Sequence, residues 1–480
     1  MPLQSLEKSI SMSDHYDYDV AIIGAGMGGL ACGCYLAQAG LKTVIVEKNS
    51  TPGGYCASFT KNGFHFDTYV HSLGSCRRGG TISNILEDLN LRNKIKFLRC
   101  NHPDTIITPD YKISFGPDLE QTIRNFSRNF FKESNSIEKF FKKVVDADAS
   151  FLMHWRDKTF GNFLDYYFTD ERLKAILSFP ILGNAGMPAS RISAFYGIKL
   201  YSEFMVDGGY YPEGGMQSLP KTLAARFHEL KGELLLSKQV IGIKIEKDLA
   251  SKIVLSDNKT ISAKYFVSNV DAQQTFSKLL RKDTVNGDFL NKLSHMQPSL
   301  SMFIVHLGIE ETVDVPPPGS NHWQLPFYDI DEMFSRAQKR SAENLAEFMV
   351  HICTKKSVSI FINSNFHGKE YWDSNRNIIS EALINKAEQV IPGVSRKIIF
   401  KQTITPYALF ATTLNRQGAA YGWEGTPSQI ATGGLTLKTC IKNLFLTGHW
   451  TTLAQGVGGV LYLGSETAKL IIRRAGLRKK

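Results

Sequence analysis

The stretch from Asp19 to Glu47 restricts the fold of this chain more than any other part of the sequence. It begins with an apolar run, Val20 to Ile23, which is typical of a buried parallel strand. Three glycines follow at the spacing G-x-G-x-x-G: Gly24, Gly26 and Gly29. The helix that they open is predicted to end at Gly40, and a second strand is predicted over Thr43 to Val46.

Each part of this stretch suits a dinucleotide. Gly24 permits the tight turn, Gly26 lets the backbone approach a pyrophosphate, and Gly29 lets the helix pack closely on the strand. The helix N-terminus offers unpaired N–H groups and a positive dipole end to that pyrophosphate. Glu47 can accept hydrogen bonds from ribose hydroxyls. The stretch therefore predicts a dinucleotide-binding βαβ unit; the alternative is a βαβ unit without a ligand.

The length of 480 residues is enough to bury a large core and predicts two or three domains. The hydrophobic fraction of 43% is ordinary for a globular protein. No apolar run reaches the roughly 20 residues of a membrane span. Residues 1–15 are polar, lack the apolar core of a signal peptide and are interpreted as a flexible tail.

Cysteine usage and charge exclude several classes of function. The seven cysteines are scattered and no C-x-x-C occurs, so we expect no metal site and no redox dithiol, and a reducing cytoplasm suits the chain best. The net charge of +11 favours anionic surfaces, either lipid head groups or nucleic acid. Because no nucleic-acid motif is found, no nucleic-acid partner is expected.

Two basic stretches suggest contact with a membrane surface. Residues 120–143 combine phenylalanines with arginines and lysines at helical spacing, and Arg473 to Lys480 is the densest basic cluster. The competing interpretation is that the phenylalanines belong to the core and the basic residues are solvated. We predict a cytoplasmic protein, with a peripheral position on a membrane as a further hypothesis.

Further motifs carry a resemblance to a known family. Gly53-Gly54 follows soon after Glu47, and Gly63 to His71 alternates apolar and polar residues. With the glycine turn, these motifs resemble FAD-dependent amine-oxidase-like flavoproteins, and within them the phytoene desaturase, carotenoid isomerase and retinol saturase group. Three later stretches resemble motifs of that group: Tyr211 to Leu219, Gly418 to Trp423, and Asn443 through Val460. The resemblance covers nearly the whole chain.

The resemblance implies an α/β fold, with a Rossmann-type, three-layer FAD-binding domain of the glutathione reductase type and an inserted α+β substrate domain. Residues 16–90, 206–280 and 401–480 would form the discontinuous FAD-binding domain, and residues 91–205 and 281–400 the substrate or lid domain. FAD is the implied cofactor. Together with the glycine turn, the resemblance predicts these cofactor-binding residues: Gly24, Ala25, Gly26, Gly28, Gly29, Glu47, Lys48, Gly53, Gly54, Tyr55, Val240, His449, Gly456, Val457 and Gly458.

No catalytic base is assigned from the sequence. A flavin needs no fixed triad, and no nucleophile elbow or metal constellation is found. The candidates for acid–base help are His71, His449, Tyr407, Tyr421 and Trp423. The competing interpretations are a satisfied buried histidine at position 71, a plain FAD contact at position 449, where the family usually has an acid, and tyrosines that line the pocket or bond to backbone.

The resemblance predicts an FAD-dependent oxidoreductase for a lipophilic small-molecule substrate. It would desaturate, isomerise or saturate carbon–carbon bonds of a polyene or isoprenoid by hydride exchange with flavin N5. One alternative is an FAD-dependent oxidase or desaturase of an amine, a pyrroline or a carrier-bound intermediate, because members of one fold need not share substrates. The other is a flavin-free, lipid-binding escort protein.

Three local expectations concern the region between the predicted FAD-binding segments. The Phe179-Pro180 step and the glycines after it predict a break between helices. Asp331 to Phe348 is predicted to be one helix. Ser301 to Leu307 is predicted to be a buried strand.

Overall fold

The computed structural model describes residues 16–100, 104–432, 434–451 and 456–477. The predicted tail at residues 1–15 and the last three residues of the basic C-terminal cluster lie outside the described residues. Two large sheets organise the chain, and each has its own apolar core on both faces.

Five parallel strands form the centre of the first sheet. Tyr18–Ile23 lies between Thr43–Val46 and Thr260–Ser268. Glu233–Leu235 and Leu444–Leu446 extend the sheet on either side. Because parallel strands end at the same edge, the turns that follow the first two strands lie side by side there.

The first sheet is the middle of three layers. Its first face is covered by the helices Met27–Gln38, Ser218–Glu229 and Gly456–Arg474. Its other face packs against an antiparallel hairpin, Val240–Glu246 with Leu249–Leu255. The predicted α/β, three-layer arrangement is confirmed.

The second sheet is largely antiparallel and forms the predicted α+β part. One of its faces carries the apolar cluster that contains the helices between residues 119 and 205, and the other carries Lys369–Ala387. Its strands, in spatial order, are Ile398–Ile404, Ser301–Ile309, Ser357–Ser364, Phe348–Thr354, Asn321–Gln324, Asp104–Ile107 and Lys112–Ser114. Two small hairpin-like pairs accompany them: Ser58–Lys61 with Phe64–Asp67, and Phe97–Arg99 with Tyr210–Pro212.

The remaining α-helices connect these sheets or cover them. They are Thr81–Asp88, Leu119–Asn129, Ser134–Val145, Ala149–Trp155, Phe160–Tyr167, Glu171–Ala185, Ala194–Leu200, Ala272–Gln274, Gly287–His295, Ile330–Gln338 and Pro406–Thr413. A π-helical turn, Tyr201–Met205, continues the helix Ala194–Leu200. No helix in the described ranges is long and apolar enough to cross a membrane.

The predicted helix break at Phe179-Pro180 is wrong. The helix Glu171–Ala185 continues through Pro180 and ends at Gly186, whose φ is +65°. A proline inside a helix costs about 3 kcal/mol because it lacks an N–H and clashes with the preceding turn. Both neighbours of this proline, Phe179 and Ile181, are at most 1% exposed, and their burial against the second sheet offsets that cost.

The predicted helix from Asp331 to Phe348 is also wrong. The helix Ile330–Gln338 ends early, and Phe348 begins the strand Phe348–Thr354. Between them the buried side chains of Arg340 and Glu347 form an ion pair at 2.5 Å. This ion pair stabilises the short connection between the helix and the strand, which the helical periodicity of the sequence does not predict.

The basic and aromatic stretch at 120–143 forms two helices, Leu119–Asn129 and Ser134–Val145. Four of its phenylalanines are at most 5% exposed and belong to the core: Phe126, Phe130, Phe140 and Phe141. Phe131 is 73% exposed. At the C-terminus, Arg474 donates to the backbone carbonyl of Lys442, so part of the basic cluster is tied to the protein.

The domain boundaries predicted from the sequence remain a prediction. They can be compared with the segments that supply strands to each sheet. The strands of the first sheet come from the segments predicted to bind FAD, at residues 18–46, 233–268 and 444–446. The strand Ile398–Ile404 belongs to the second sheet and pairs with Ser301–Ile309. It therefore crosses the predicted boundary at residue 401.

Candidate functional site

The turn between the first strand and the first helix depends on backbone contacts that require glycine. Gly24 has φ +97°, in the left-handed region. A Cβ on Gly29 would lie 2.1 Å from the carbonyl oxygen of Gly24, so the helix touches the turn directly. Ala25 is buried and donates its backbone N–H to Oε2 of Glu47 at 2.8 Å. The acid at the end of the second strand therefore fixes the turn.

Glu47 can also accept hydrogen bonds from a ligand. Its side chain is buried, and Oε1 accepts the backbone N–H of Asn49 at 2.9 Å. A carboxylate has about four lone-pair sites, so each oxygen of Glu47 can accept one more hydrogen bond. Hydroxyl groups of a ribose would supply such donors.

The last helix packs on the first helix beside the glycine turn, because a Cβ on Gly464 would lie 2.4 Å from the carbonyl oxygen of Gly28. A Cβ on Gly28 would lie 2.8 Å from Oδ1 of Asn269 and 3.1 Å from Cα of Gly448. Gly448 ends the segment after the strand Leu444–Leu446, and Gly456 begins the last helix. The first and last segments of the chain therefore meet at the glycine turn, and the first residues of the last helix, Gly456 to Gly458, line the same cavity, where the dipole of that helix favours negative charge.

A third segment completes this backbone-lined region. Gly53 donates its N–H to the carbonyl of Ala25 at 2.9 Å and has φ +125°. Gly54 has φ +57°, and a Cβ there would lie 3.5 Å from Cα of Gly26. We call these residues the glycine cradle: Gly24, Gly26, Gly28, Gly53 and Gly54.

One cavity of about 530 Å³ runs from the glycine cradle towards the second sheet. Most of the residues predicted to bind cofactor or assist catalysis line it: Gly24, Gly26, Gly28, Glu47, Lys48, Gly53, Gly54, Tyr55, His71, Val240, Tyr421, His449, Gly456, Val457 and Gly458. Ala25 and Gly29 do not line the cavity themselves. They contact lining residues, Ala25 through its hydrogen bond to Glu47 and Gly29 through its close approach to Gly24.

Two of the candidate helpers are not brought to the cavity. Tyr407 is on the helix Pro406–Thr413, and its ring packs with Phe366 and Phe410 at centroid distances of 6.4 and 6.1 Å. Trp423 is buried, and its Nε1–H donates to the carbonyl of Trp450 at 2.9 Å. Neither residue lines the described cavity, and the contacts of both are packing contacts or hydrogen bonds within the protein.

Four ionisable side chains that line the cavity are neutral at pH 7: His71, His449, Tyr55 and Tyr421. Burial lowers the pKa of His71 to about 3, with a further contribution from His351, and burial lowers the pKa of His449 to about 4. Burial raises the pKa of Tyr55 to about 12, and it also raises the pKa of Tyr421. These groups can exchange hydrogen bonds with a ligand, but they contribute no net charge there.

Aromatic rings form much of the inner wall. Tyr55 and Tyr69 stack at a centroid distance of 4.5 Å, and the ring of His449 lies 5.7 Å from Tyr55. The hydroxyl of Tyr55 donates to the carbonyl of Ala419 at 2.7 Å. The hydroxyl of Tyr421 donates to the carbonyl of Gly183 at 2.7 Å. Satisfied hydroxyls fix these rings and leave their apolar faces for a ligand.

Sequence reasoning missed Asn269 and the role of Asp67. Asn269 follows the strand Thr260–Ser268, lines the cavity and donates to the carbonyl of Gly24 at 3.2 Å. Asp67 is buried and accepts hydrogen bonds from Ser58, Tyr211 and the backbone of Met216. Burial alone would raise the pKa of Asp67, but these hydrogen bonds lower it. Two separate motifs, at 63–71 and 211–219, are therefore joined through one carboxylate.

The residues present fit FAD. A Cβ on Gly28, Gly29 or Gly53 would collide with the protein atoms that support the cradle, and the N-terminus of the first helix offers donors to a pyrophosphate. Glu47 offers free lone pairs for a ribose, and Val240 and His449 lie farther along the same wall. Among the described residues, no group of three histidine, cysteine, aspartate or glutamate side chains could hold a metal ion.

Comparison with known proteins agrees with this geometry. The family model of flavin-containing amine oxidoreductases matches residues 27–348, which is more than half of the chain. The prolycopene isomerase 1 of an Oncidium hybrid cultivar is 22% identical over 97% of this chain and 85% of that protein. The neurosporene-forming phytoene desaturase of Cereibacter sphaeroides is 24% identical over 96% of both chains.

Two further similarities concern a reductase and a solved structure. The all-trans-retinol 13,14-reductase of Danio rerio is 22% identical over 95% of this chain and 86% of that protein. The crystal structure of an oxidoreductase from Methanosarcina mazei superposes with a TM-score of 0.67 at 16% identity, covering 94% of this chain and all of that one. The chain belongs to the family of flavin-containing amine oxidoreductases and is an FAD-dependent oxidoreductase.

Proposed function

We propose that this chain acts on carbon–carbon bonds of a lipophilic polyene or isoprenoid, which it desaturates, isomerises or saturates. The observation that carries the proposal is the inner wall of the cavity, which combines aromatic and aliphatic side chains with neutral histidines and tyrosines. Its apolar members include Phe195, Leu200 and Phe204 on the helical side and Met302 on the second sheet. Such a wall binds an extended apolar chain by excluding water from it.

The glycine cradle holds the pyrophosphate of FAD in this proposal, with Glu47 on the ribose and His449 near the flavin end. FAD, when bound, supplies the two-electron chemistry of the reaction. The protein supplies orientation and a dry site: Tyr55, Tyr69 and Tyr421 hold the walls in place. The relatives named prolycopene isomerase, phytoene desaturase and all-trans-retinol 13,14-reductase support a polyene as the substrate class.

The charges along the cavity count against an amine substrate. Of the described residues that line it, two are carboxylates, Glu47 and Glu203. Glu47 accepts two backbone N–H groups, and Glu203 is paired with Arg77 at 3.2 Å. An ammonium group entering the apolar part would therefore lose its hydration without gaining an anionic partner.

Substrate conversion by the FAD-loaded protein tests the proposal. Phytoene, prolycopene and all-trans-retinol are each supplied in phosphatidylcholine liposomes without oxygen, with a quinone as external oxidant or with dithionite as reductant. We expect conversion of at least one polyene, seen as a shift of its absorbance bands after chromatography. Peroxide release from a small amine such as putrescine under air, with all three polyenes unchanged, would overturn the proposal.

We further propose that the protein lies on the surface of a membrane through the region around Phe131. Other exposed apolar side chains are Val145, Met153 and Tyr166, with exposed fractions of 45%, 49% and 72%. Lys132, Lys139, Lys142 and Lys143 are exposed on the same stretch of chain. Apolar and basic side chains together are the combination that binds anionic lipid surfaces.

Flotation with liposomes tests this membrane contact. Vesicles with about one third phosphatidylserine should carry the protein upward at low salt, and pure phosphatidylcholine vesicles should carry less. Phe131→Ser should weaken the binding about 30-fold, because burial of a phenylalanine contributes about 2 kcal/mol. Ile378→Ser, at an exposed position on the helix Lys369–Ala387, is the matched control. Equal flotation of both variants would contradict the proposal.

A further inference from the structure

One histidine at the inner end of the cavity has a ring nitrogen without a hydrogen-bond partner. His71 lines the cavity, and its Nε2 is buried without a hydrogen-bond partner. Its neighbours are aromatic rings: the ring of Phe204 lies at 6.4 Å, that of Trp323 at 6.5 Å and that of Phe361 at 5.6 Å. A buried nitrogen left without a partner costs about 1–3 kcal/mol, so its retention calls for an explanation.

A second histidine stands directly behind the first. The ring of His351 lies 5.6 Å from that of His71, and His351 is 1% exposed. Nε2 of His351 is also buried without a partner, whereas Nδ1 lies 2.8 Å from Oδ1 of Asn321. The two imidazoles are not hydrogen-bonded to each other, and a proton could pass between them through one water.

The tautomer of His351 follows from its partners. Asp104 is buried, and its Oδ1 accepts hydrogen bonds from Nδ2 of Asn321 at 3.3 Å and from Nε1 of Trp323 at 2.5 Å. The amide NH₂ of Asn321 therefore faces Asp104, and its oxygen faces His351. Since that oxygen can only accept, Nδ1 of His351 carries the hydrogen and Nε2 keeps a free lone pair.

We propose that His71 is the base that accepts the substrate proton when a new double bond forms, and that His351, oriented by Asn321 and Asp104, is the positioning residue behind it. We call these four residues the histidine relay. The inference rests on the proposed function and deepens it, because it names the residue that accepts the proton in the desaturating reaction.

The chemistry of the step balances. Loss of a hydride from the polyene, with its two electrons accepted by the bound FAD, leaves an allylic cation. The adjacent C–H bond then breaks, its electron pair becomes the new π bond, and the proton forms an N–H bond on His71. An allylic cation is a far stronger acid than an imidazolium ion, so even a weakly basic imidazole takes this proton.

Burial keeps the two imidazoles of the relay, His71 and His351, in the neutral form that acts as a base. It lowers the pKa of His71 to about 3 and that of His351 to about 4, so both are neutral and ready to accept a proton at pH 7. Burial raises the pKa of Asp104 to about 6, and its hydrogen bonds with Trp323 and Asn321 act against that rise. The charged group that acts on His71 from the neighbouring hairpin is Asp67, which raises its pKa.

Three variants of the FAD-loaded protein test the inference with phytoene in liposomes. His71→Phe keeps an aromatic ring of similar size among aromatic neighbours, so it should fold and keep its FAD absorbance. We expect its desaturation rate to fall about 10²- to 10⁴-fold. His351→Gln should lower the rate about 10-fold. His306→Gln changes a histidine that is equally buried in the second sheet but does not line the cavity, and it should stay within about 3-fold of the original rate.

Histidine NMR supplies a readout without turnover. With ¹⁵N-labelled histidine, we expect both relay imidazoles to be neutral at pH 7, with the hydrogen of His351 on Nδ1. Asn321→Leu should change that tautomer and leave the FAD absorbance unchanged. A charged His71 at pH 7, or undiminished desaturation by His71→Phe, would overturn the inference. If no polyene is converted at all, the proposed function fails, and the NMR result decides the arrangement of the relay separately.

Discussion

The glycine cradle and the histidine relay are built in opposite ways, although they lie along one cavity. The cradle consists mainly of backbone, and much of it comes from a short stretch of chain in which each residue has a fixed local task. The relay consists of side chains from residues 71, 104, 321 and 351, which only the second sheet and its neighbours bring together. Backbone sites leave a spacing pattern in the sequence, whereas side-chain sites of this kind leave none.

The two regions also handle charge differently. The cradle offers N–H groups and the N-terminus of the first helix, which favour an anion. The relay keeps its imidazoles neutral through burial. The cavity therefore joins an end suited to a charged cofactor with an end suited to an apolar substrate.

The largest effect should come from Gly29→Ala, which would disturb the glycine cradle through the contact of Gly29 with Gly24. The added Cβ would lie 2.1 Å from the carbonyl oxygen of Gly24, so the first helix must move, at a cost of about 3 kcal/mol. FAD absorbance per protein should fall to near zero. Gly287→Ala, where no atom lies within 4 Å, is the control and should keep its FAD. Normal FAD content in Gly29→Ala would show that the cradle is less rigid than its contacts indicate.

The next effect concerns the histidine relay: His351 should contribute to the pH dependence of the free energy of unfolding. The pKa of His351 is lowered from 6.5 in the unfolded chain to about 4 in the folded one. Between these values the unfolded chain binds a proton that the folded chain does not, so this residue makes the free energy of unfolding decrease by about 3 kcal/mol as the pH falls from 6.5 to 4. His351→Gln should remove that part of the decrease in urea titrations.

His295→Gln, at an exposed position, is the control for this titration and should keep the full pH dependence. His71, His306 and His449 have lowered pKa values of the same kind and keep contributing in both variants. An unchanged slope in His351→Gln would mean that His351 is protonated in the folded chain.

A medium effect is expected from Glu47→Ala. Two backbone N–H groups, those of Ala25 and Asn49, lose their acceptor, which costs about 1–3 kcal/mol. The dissociation constant of FAD should rise about 10- to 100-fold, as measured by the return of flavin fluorescence on dilution. Glu47→Gln keeps one acceptor oxygen and should lie between the two. Equal affinity in all three proteins would remove Glu47 from the FAD site.

The smallest effect should come from Tyr421→Phe, at the aromatic end of the cavity. Its hydroxyl donates to the carbonyl of Gly183, and loss of this hydrogen bond should cost about 1 kcal/mol. FAD content should not change, because the cradle is untouched. Tyr166→Phe, at a side chain that is 72% exposed, should have no measurable effect on the urea midpoint. A loss of FAD in Tyr421→Phe would mean that the two ends of the cavity are not independent.

The sequence by itself determined the cradle and the first sheet around it. G-x-G-x-x-G spacing, flanking strands and a terminal acid are local, so Gly24, Gly29 and Glu47 are found where the pattern puts them. The same reasoning placed Gly53 and Gly456 on the cavity through the family resemblance. Local steric and hydrogen-bonding demands act within a few residues, which is why they can be predicted.

Only the tertiary structure decided the rest. The helix through Pro180, the strand that begins at Phe348 and the position of Tyr407 outside the cavity all depend on burial against distant segments. Asn269 and His351 acquire their roles from partners far away in the chain. Packing and buried hydrogen bonds outweigh local propensity by a few kcal/mol at such places, and no local pattern encodes where they occur.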